Sequence, residues 1–393
     1  MWLDPAQPEG WGGRSLVAAD PYLILRAKGR QIEFVTAERC RQAEGNPLDA
    51  LAEELARANG RRGAAIGYFG YDLKNHLERL PAKALDDLGL PDLWFGFYDK
   101  VGQASCLSIS DPEGTGRMPV LLSNFTRAAY CRAVQRAKEY IAAGDIYQVN
   151  LSQRFQCDVD VPAEELYLAL RAANPAPYCA YLDIGDAQIL SSSPECFLDL
   201  RDREVVTRPI KGTRPRSADP DELWRSEKDN AELLMITDLE RNDLGRVCEF
   251  GSVHVRELKR IESYATVHHL VSTVAGRLRP DVSHVDCVRA CFPGGSITGA
   301  PKIRAMEIID ELEPHARGVY TGAIGYFGFN GVTQFNIAIR TAVYQSGRLT
   351  FHAGGGIVAD SEPDAEYEET LAKAQGIIHA LDQLRVRQRP VRA

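Results

Sequence analysis

The chain has 393 residues, 45% of them hydrophobic, and carries 46 Lys and Arg against 54 Asp and Glu, a formal net charge of −8. That is enough apolar material for a large core, and a mildly acidic chain with scattered basic residues excludes a nucleic-acid or anionic-membrane surface as its working face. A small molecule or a protein is the partner such a composition leaves.

The opening stretch MWLDPAQPEGWGGRS has no basic segment followed by an apolar core, and no apolar run approaches a membrane span. The sequence therefore predicts a cytoplasmic protein, neither exported nor anchored. Nine cysteines stand at 40, 106, 131, 157, 179, 196, 248, 287 and 291 without a CxxC pair, the pattern of free and mostly buried thiols. Cys287 and Cys291 are spaced to face each other on a helix but lack the companions a zinc site needs. No repeat or linker divides the chain, and the nearest thing to a seam is SDPEGTGRMP at 110–119. One large unit and several domains both remain open.

Helices are predicted over 125–143, 162–173, 219–247, 301–312 and 362–385. Between them, QILSSSPECFLDL, REVVTRPI, GVYTGAIGYFGFNG, TQFNIAIRTAVYQSG and RLTFHAGGGIV alternate like antiparallel strands joined by hairpins. The mixture predicts an α+β layered domain. In the first hairpin, strands 188–200 and 204–210 flank the turn RDRE, which brings Glu195 close to Lys211 at the far end. Antiparallel partners lie about 5 Å apart. A surface salt bridge accounts for this pair as readily as a working acid and amine.

Along the 219–247 helix, Asp229 and Glu232 stand one turn apart. They either favour the helix N-terminus or form a ligand pair for a hard cation. CFPGGSITGAPK (291–302), with Ser296 and Thr298, and HAGGGIV (352–358) are glycine-rich. Both can offer backbone N–H groups to an anion, or simply turn tightly. Neither has the spacing of a nucleotide-binding loop. The last helix has Ser361 as N-cap, Pro363 in its first turn and Asp364 at capping-box distance. Tyr367, Leu371, Ala374, Ile378 and Leu381 form its apolar stripe. Glu366, Glu369 and Lys373 form a separate charged stripe, either solvated or ligating.

Taken in order, SSSPE, PIKGTRPR, DLERNDLGR, HHLVS, GGSITGAPK, YTGAIGY, NIAIRTA and GGGIVADSEPDAEYEET resemble the chorismate-utilising enzymes. These include the large subunits of anthranilate and aminodeoxychorismate synthases and, more distantly, isochorismate and salicylate synthases. The resemblance covers roughly residues 120–385, and AAIGYFGYDL looks like the N-terminal half of the same subunits. It implies an α+β fold in which two large antiparallel β-sheets pack as a sandwich with helices outside, the site lying between the sheets' ends. It also implies a chorismate-binding core over 120–386, residues 1–119 as part of the same compact unit, and a tail at 387–393.

The resemblance further implies roles. Glu232 and Glu369 look like Mg²⁺ ligands, with Asp229 and Glu366 as outer or alternate ligands, and the metal would hold the ring carboxylate of chorismate. Tyr320, Arg340 and the backbone of Gly356, beside Gly355, look like the clamp on the enolpyruvyl carboxylate, with Lys373 adding positive charge. Glu195 looks like the general acid for departure of the C4 hydroxyl. His269, Thr213 and Ser296 match positions around the substrate.

At 211 the family's anthranilate synthases usually carry alanine and its aminodeoxychorismate synthases lysine, thought to act as a covalent nucleophile. The resemblance thus implies a transferase that aminates chorismate at C4 for 4-aminobenzoate and folate synthesis. The amine must be neutral, with Arg214 and Arg216 as candidate neighbours that depress its pKa. Gln148 stands where isochorismate and salicylate synthases place a lysine base, which implies ammonia rather than water as nucleophile. No glutaminase-type cysteine motif is present, so the resemblance implies a separate glutamine amidotransferase subunit. Anthranilate synthase component I is the alternative, followed by isochorismate or salicylate synthase and a non-catalytic binding subunit. NPAPY (174–178) resembles one wall of the tryptophan pocket of feedback-inhibited relatives, but no LLES-like element supplies the other.

Overall fold

The computed structural model describes residues 1–7, 10–104, 119–264 and 267–384. Nearly all of the seam at 110–119, Cys106 and the tail at 387–393 lie outside the described residues.

Two antiparallel sheets dominate, of ten and twelve strands among the described residues. The smaller runs from Gly299–Ala300 through Gln148–Asp158, Arg348–Ile357, Thr341–Gln345, Gln188–Ser193 and Tyr178–Asp183 to Trp2–Asp4, Ser15–Val17 and Gly102–Ala104. The larger begins at Ile210–Pro215 and Val267–Arg277. It continues through Glu204–Arg208, Cys196–Arg201, Val332–Asn336 and Ala323–Gly328 into Ala64–Phe69, Leu93–Tyr98 and the strands of residues 23–44. Both sheets thus draw strands from the first 119 residues and from the rest.

Period-two alternation shows why the sheets stack. In Tyr178–Asp183, Tyr178, Ala180 and Leu182 join Ile66, Tyr68 and Trp94 of the other sheet in one apolar cluster. Cys179 and Tyr181 point the other way, into a cluster with Leu166, Leu170, Ala374 and Ile377 of the outer helices. Sheet on sheet with helices outside is the arrangement the resemblance implies.

Two segments read as single strands are each broken between the sheets. The run 188–200 forms Gln188–Ser193 in one sheet and Cys196–Arg201 in the other, interrupted at Pro194 and Glu195. Proline at 194 has no N–H to continue a ladder. The run 333–347 likewise divides into Val332–Asn336 and Thr341–Gln345, and Arg340 at its turn takes φ +48°. The crossings lie side by side. The Ile337 N–H donates to the Glu195 carbonyl at 3.0 Å, and the Ser192 N–H donates to the Arg340 carbonyl at 3.1 Å.

The predicted helices form with shifted ends, as Arg127–Ala142, Ala163–Ala173, Lys302–Leu312 and Pro363–Leu384. The 219–247 segment is two helices, Asp221–Arg225 and Glu227–Gly245. Ser226 ends the first, and its hydroxyl accepts the Asp229 N–H at 3.2 Å to cap the second. Near the last helix no capping box forms: Asp364 pairs with Arg127, and Ser361 donates to Glu366 at 2.7 Å. The buried stripe of that helix runs through Glu366, Thr370, Ala374, Ile377 and Leu381, so Ile377 replaces Ile378 and Glu366 leaves the charged face. The eight described cysteines are free, and Cys287 and Cys291 are buried.

Candidate functional site

A cavity of about 700 Å³ opens where the two crossings meet the Glu227–Gly245 and Pro363–Leu384 helices. Glu195, Lys211, Thr213, Asp229, Glu232, His269, Ser296, Tyr320, Arg340, Gly356, Glu369 and Lys373 all line it. Gln148, Gly355 and Glu366 stand behind this surface.

Lys211 reaches in from the strand Ile210–Pro215, and its Nζ donates to the Ser296 carbonyl at 3.3 Å. Burial lowers its pKa most; Glu232 opposes this, and Lys373 is the cation that adds to it. The Arg214 guanidinium is held instead by Asp229 at 2.8 Å, and Arg216 lies against His268. Asp229 is therefore engaged by arginine rather than free to ligate, and a Cβ on Gly212 would stand 3.0 Å from its carboxyl.

Glu195 sits at the first crossing, 4% exposed. Burial lifts its carboxyl to about 7, against the Ser296 hydroxyl, the Lys211 amine and the Ile210 N–H, which favour the charged form. Its pairing with Lys211 is spatial rather than cross-strand, because Lys211 pairs with Leu270. Such an acid stays partly protonated at neutral pH beside an amine inclined to be neutral.

His269 holds Thr213 through Nδ1 at 2.8 Å. Burial, then Arg340, press its pKa down to about 3, so it is a neutral ring whose Nε2 has no partner among the described residues. The Arg340 guanidinium has no ion pair or hydrogen bond among the described residues, and desolvation lowers its pKa. A half-buried guanidinium that faces the cavity without a counter-ion calls for an anion. Tyr320 stacks on His352, ring centres 5.0 Å apart and planes 12° apart.

The acidic side of the cavity rests on glycines. A Cβ on Gly355 would stand 3.1 Å from a Glu369 oxygen and 3.2 Å from Glu366 Oε2. Glu366 is buried, with Oε2 unpartnered and its pKa raised by burial. Burial pushes Glu369 up as well, but Lys373, 2.7 Å away, carries it below its ordinary value. Gln148 donates to Glu232 at 3.5 Å, and a Cβ on Gly356 would meet its amide at 2.2 Å. Among the described residues no group of three His, Cys, Asp or Glu side chains is placed to hold a metal ion. Glu366 with its unpartnered oxygen and Glu369, brought together at Gly355, fit the one or two carboxylates that Mg²⁺ takes beside an anionic substrate, and Glu232 faces the same cavity.

Sequence reasoning missed Asn150, Lys228 and His352, which also line the cavity. Asn150 lies within IYQVNLSQRF, two residues from Gln148, and Lys228 stands one residue before Asp229. Also missed was Glu240, buried under the Gly295 N–H at 3.0 Å, inside DLERNDLGR.

Comparison with known proteins identifies the family. Aminodeoxychorismate synthase component 1 of Klebsiella aerogenes is 42% identical over 405 residues, covering 93% of this chain and 90% of that protein. Anthranilate synthase component 1 of Thermus thermophilus is 43% identical over 382 residues, covering 86% and 83%. The crystal structure of anthranilate synthase component I from Streptococcus pneumoniae superposes with a TM-score of 0.82 at 32% identity, covering 93% of this chain and 92% of that one. The family model for chorismate binding enzymes matches residues 2–379, and the chain belongs to that family.

Proposed function

We propose that this enzyme aminates chorismate at C4, as an aminodeoxychorismate synthase component 1, with ammonia supplied by a glutamine amidotransferase subunit. The observation that carries the reading is Lys211, a lysine of lowered pKa in the cavity next to Glu195, an acid lifted to about 7. The relatives with the aminodeoxychorismate name and the component 1 label support both the reaction and the existence of a partner. No helix of the described residues is long and apolar enough to cross a membrane.

In this reading the enolpyruvyl carboxylate enters against Arg340 and Tyr320, where a half-buried cation has no counter-ion among the described residues. Glu195 gives its proton to the C4 hydroxyl, which leaves as water, while the neutral Lys211 amine bonds to C2 and the ring double bond shifts. The lysine nitrogen then loses its proton. Ammonia next attacks C4, the shed proton, held meanwhile by the Glu195 carboxylate, returns to the lysine nitrogen, the double bond shifts back, and the C2–nitrogen bond breaks to return the neutral amine and leave the new C4 nitrogen as an ammonium. Two displacements give net retention. Lys373 and the Gly356 backbone complete the anion pocket, and neutral His269 with Thr213 shapes the wall near Lys211. Enzymes that use chorismate generally depend on Mg²⁺; Glu232, Glu369 and Glu366 would hold it here, and when bound it supplies positive charge to the ring carboxylate and the departing oxygen.

The test is product analysis. The purified chain with chorismate, Mg²⁺ and ammonium at pH 8 should yield 4-amino-4-deoxychorismate by mass spectrometry. Anthranilate together with pyruvate would assign the chain to the other branch, represented by the Thermus relative.

A further inference from the structure

Under the cavity floor lies a buried ion pair that the mechanism does not use. Arg317 and Glu313 are 2% and 4% exposed, and their side chains meet through two hydrogen bonds of 2.9 and 2.7 Å. The rest of the guanidinium is spread over three segments of the cavity wall. It donates to the Ile297 carbonyl at 3.0 Å, to the Asn150 carbonyl at 2.8 Å and to the Thr321 hydroxyl at 3.3 Å. Glu313 in turn accepts the N–H and hydroxyl of Ser152, at 2.8 and 2.9 Å. The Arg317 cation faces the ring of Tyr71 at 4.8 Å and that of Tyr320 at 5.7 Å.

Each contact adjoins a group that the proposed reaction needs. Ile297 follows Ser296, whose carbonyl holds Lys211 and whose hydroxyl meets Glu195. Asn150 and Ser152 flank the base of the strand that carries Gln148. Thr321 follows Tyr320 and takes φ +61°, a conformation that threonine adopts only when its surroundings hold it. Only a planar fork with five donors can engage a carboxylate on one side and three oxygens on the others; lysine has three donors at a single point.

We infer that Arg317, locked by Glu313, is the positioning residue that sets the Ser296, Asn150 and Tyr320 segments against one another, and through them the place of Lys211 and of the substrate carboxylate. The inference rests on the roles given above to Lys211 and Tyr320.

Arg317→Lys is the discriminating variant, because it keeps a cation against Glu313 while giving up the fork. Two measurements on the full chain follow: steady-state kinetics with chorismate and ammonium, and acetylation of Lys211 by acetic anhydride as a function of pH, read by peptide mass spectrometry, which needs no turnover. The variant should melt cooperatively, lose about tenfold or more in kcat/KM with KM for chorismate raised, and show a displaced pH midpoint for Lys211 acetylation. Glu313→Gln, which keeps an acceptor for Ser152 and for Arg317, should fall between it and the parent. Arg317→Lys with parental kinetics and a parental acetylation midpoint overturns the inference, as does a loss of rate that merely matches the unfolded fraction. Should the parent chain not aminate chorismate at all, the functional reading fails, and the acetylation midpoint still decides the role of Arg317.

Discussion

The Lys211 nitrogen stands 3.3 Å from the Ser296 main-chain oxygen, and the Ser296 hydroxyl bonds to Glu195, so one residue contacts both partners of the proposed acid and nucleophile pair. Neither partner's ordinary ionisation suits the reaction. Burial raises the acid and lowers the amine, which moves both toward their neutral forms near pH 7.

From this follows a pH profile with a defined sign. Glu195 must be protonated to act, and its pKa is raised to about 7, so kcat should fall as pH rises through that value. Lys211 must be neutral, so the rate should also fall at lower pH, with the limb displaced below that of an ordinary lysine. Glu195→Gln should reduce kcat by about 10² or more and remove the alkaline limb from the residual rate. An unchanged alkaline limb in that variant would show that another group supplies the proton.

Arg340 trades stability for binding. Its guanidinium has no carboxylate partner among the described residues, so replacing it with an apolar side chain of similar length removes an uncompensated, half-buried charge. Arg340→Met should melt at or above the temperature of the parent while its KM for chorismate rises by about tenfold or more. Thermal melts beside kinetics check this, and a lower melting temperature would show that the charge is balanced in the folded protein.

Gly355 tests the acidic face. A methyl there would press on the Glu369 and Glu366 oxygens at 3.1 and 3.2 Å while the strand itself keeps its pairing with Leu151. Gly355→Ala should raise the Mg²⁺ concentration needed for half-maximal rate and leave the metal-free melting temperature nearly unchanged. Chelation should abolish turnover in the parent, and added Mg²⁺ should restore it.

Much of this site was legible in the sequence because its residues lie in short contiguous motifs. Hairpin reasoning brought Glu195 and Lys211 into one neighbourhood although Lys211 pairs with Leu270 rather than across from Glu195, and the single-turn spacing of Glu366 and Glu369 does place both carboxylates against Gly355. What was not read is where a strand changes sheets: Pro194 is the one local mark of the break in 188–200, whereas 333–347 has unbroken strand character and only packing divides it between two layers. The engagement of Asp229 by Arg214 was hidden for a similar reason, since it depends on the strand after Gly212 passing over the start of a helix. Periodicity left the Glu366 stripe open between solvated and ligating, because it does not reveal that the strand beneath it is glycine, with room for a carboxyl. Arg317 carries no local signal, lying in a loop and acting through main-chain oxygens far off in sequence.

The most direct measurement of the central claim is peptide mass spectrometry of the chain after incubation with chorismate and Mg²⁺ in the absence of ammonia, followed by acid quench. The account predicts an adduct of chorismate less one water on the peptide bearing Lys211, absent from Lys211→Ala, whose amination rate should also collapse. A bare Lys211 together with a Lys211→Ala variant that aminates chorismate as fast as the parent would contradict it.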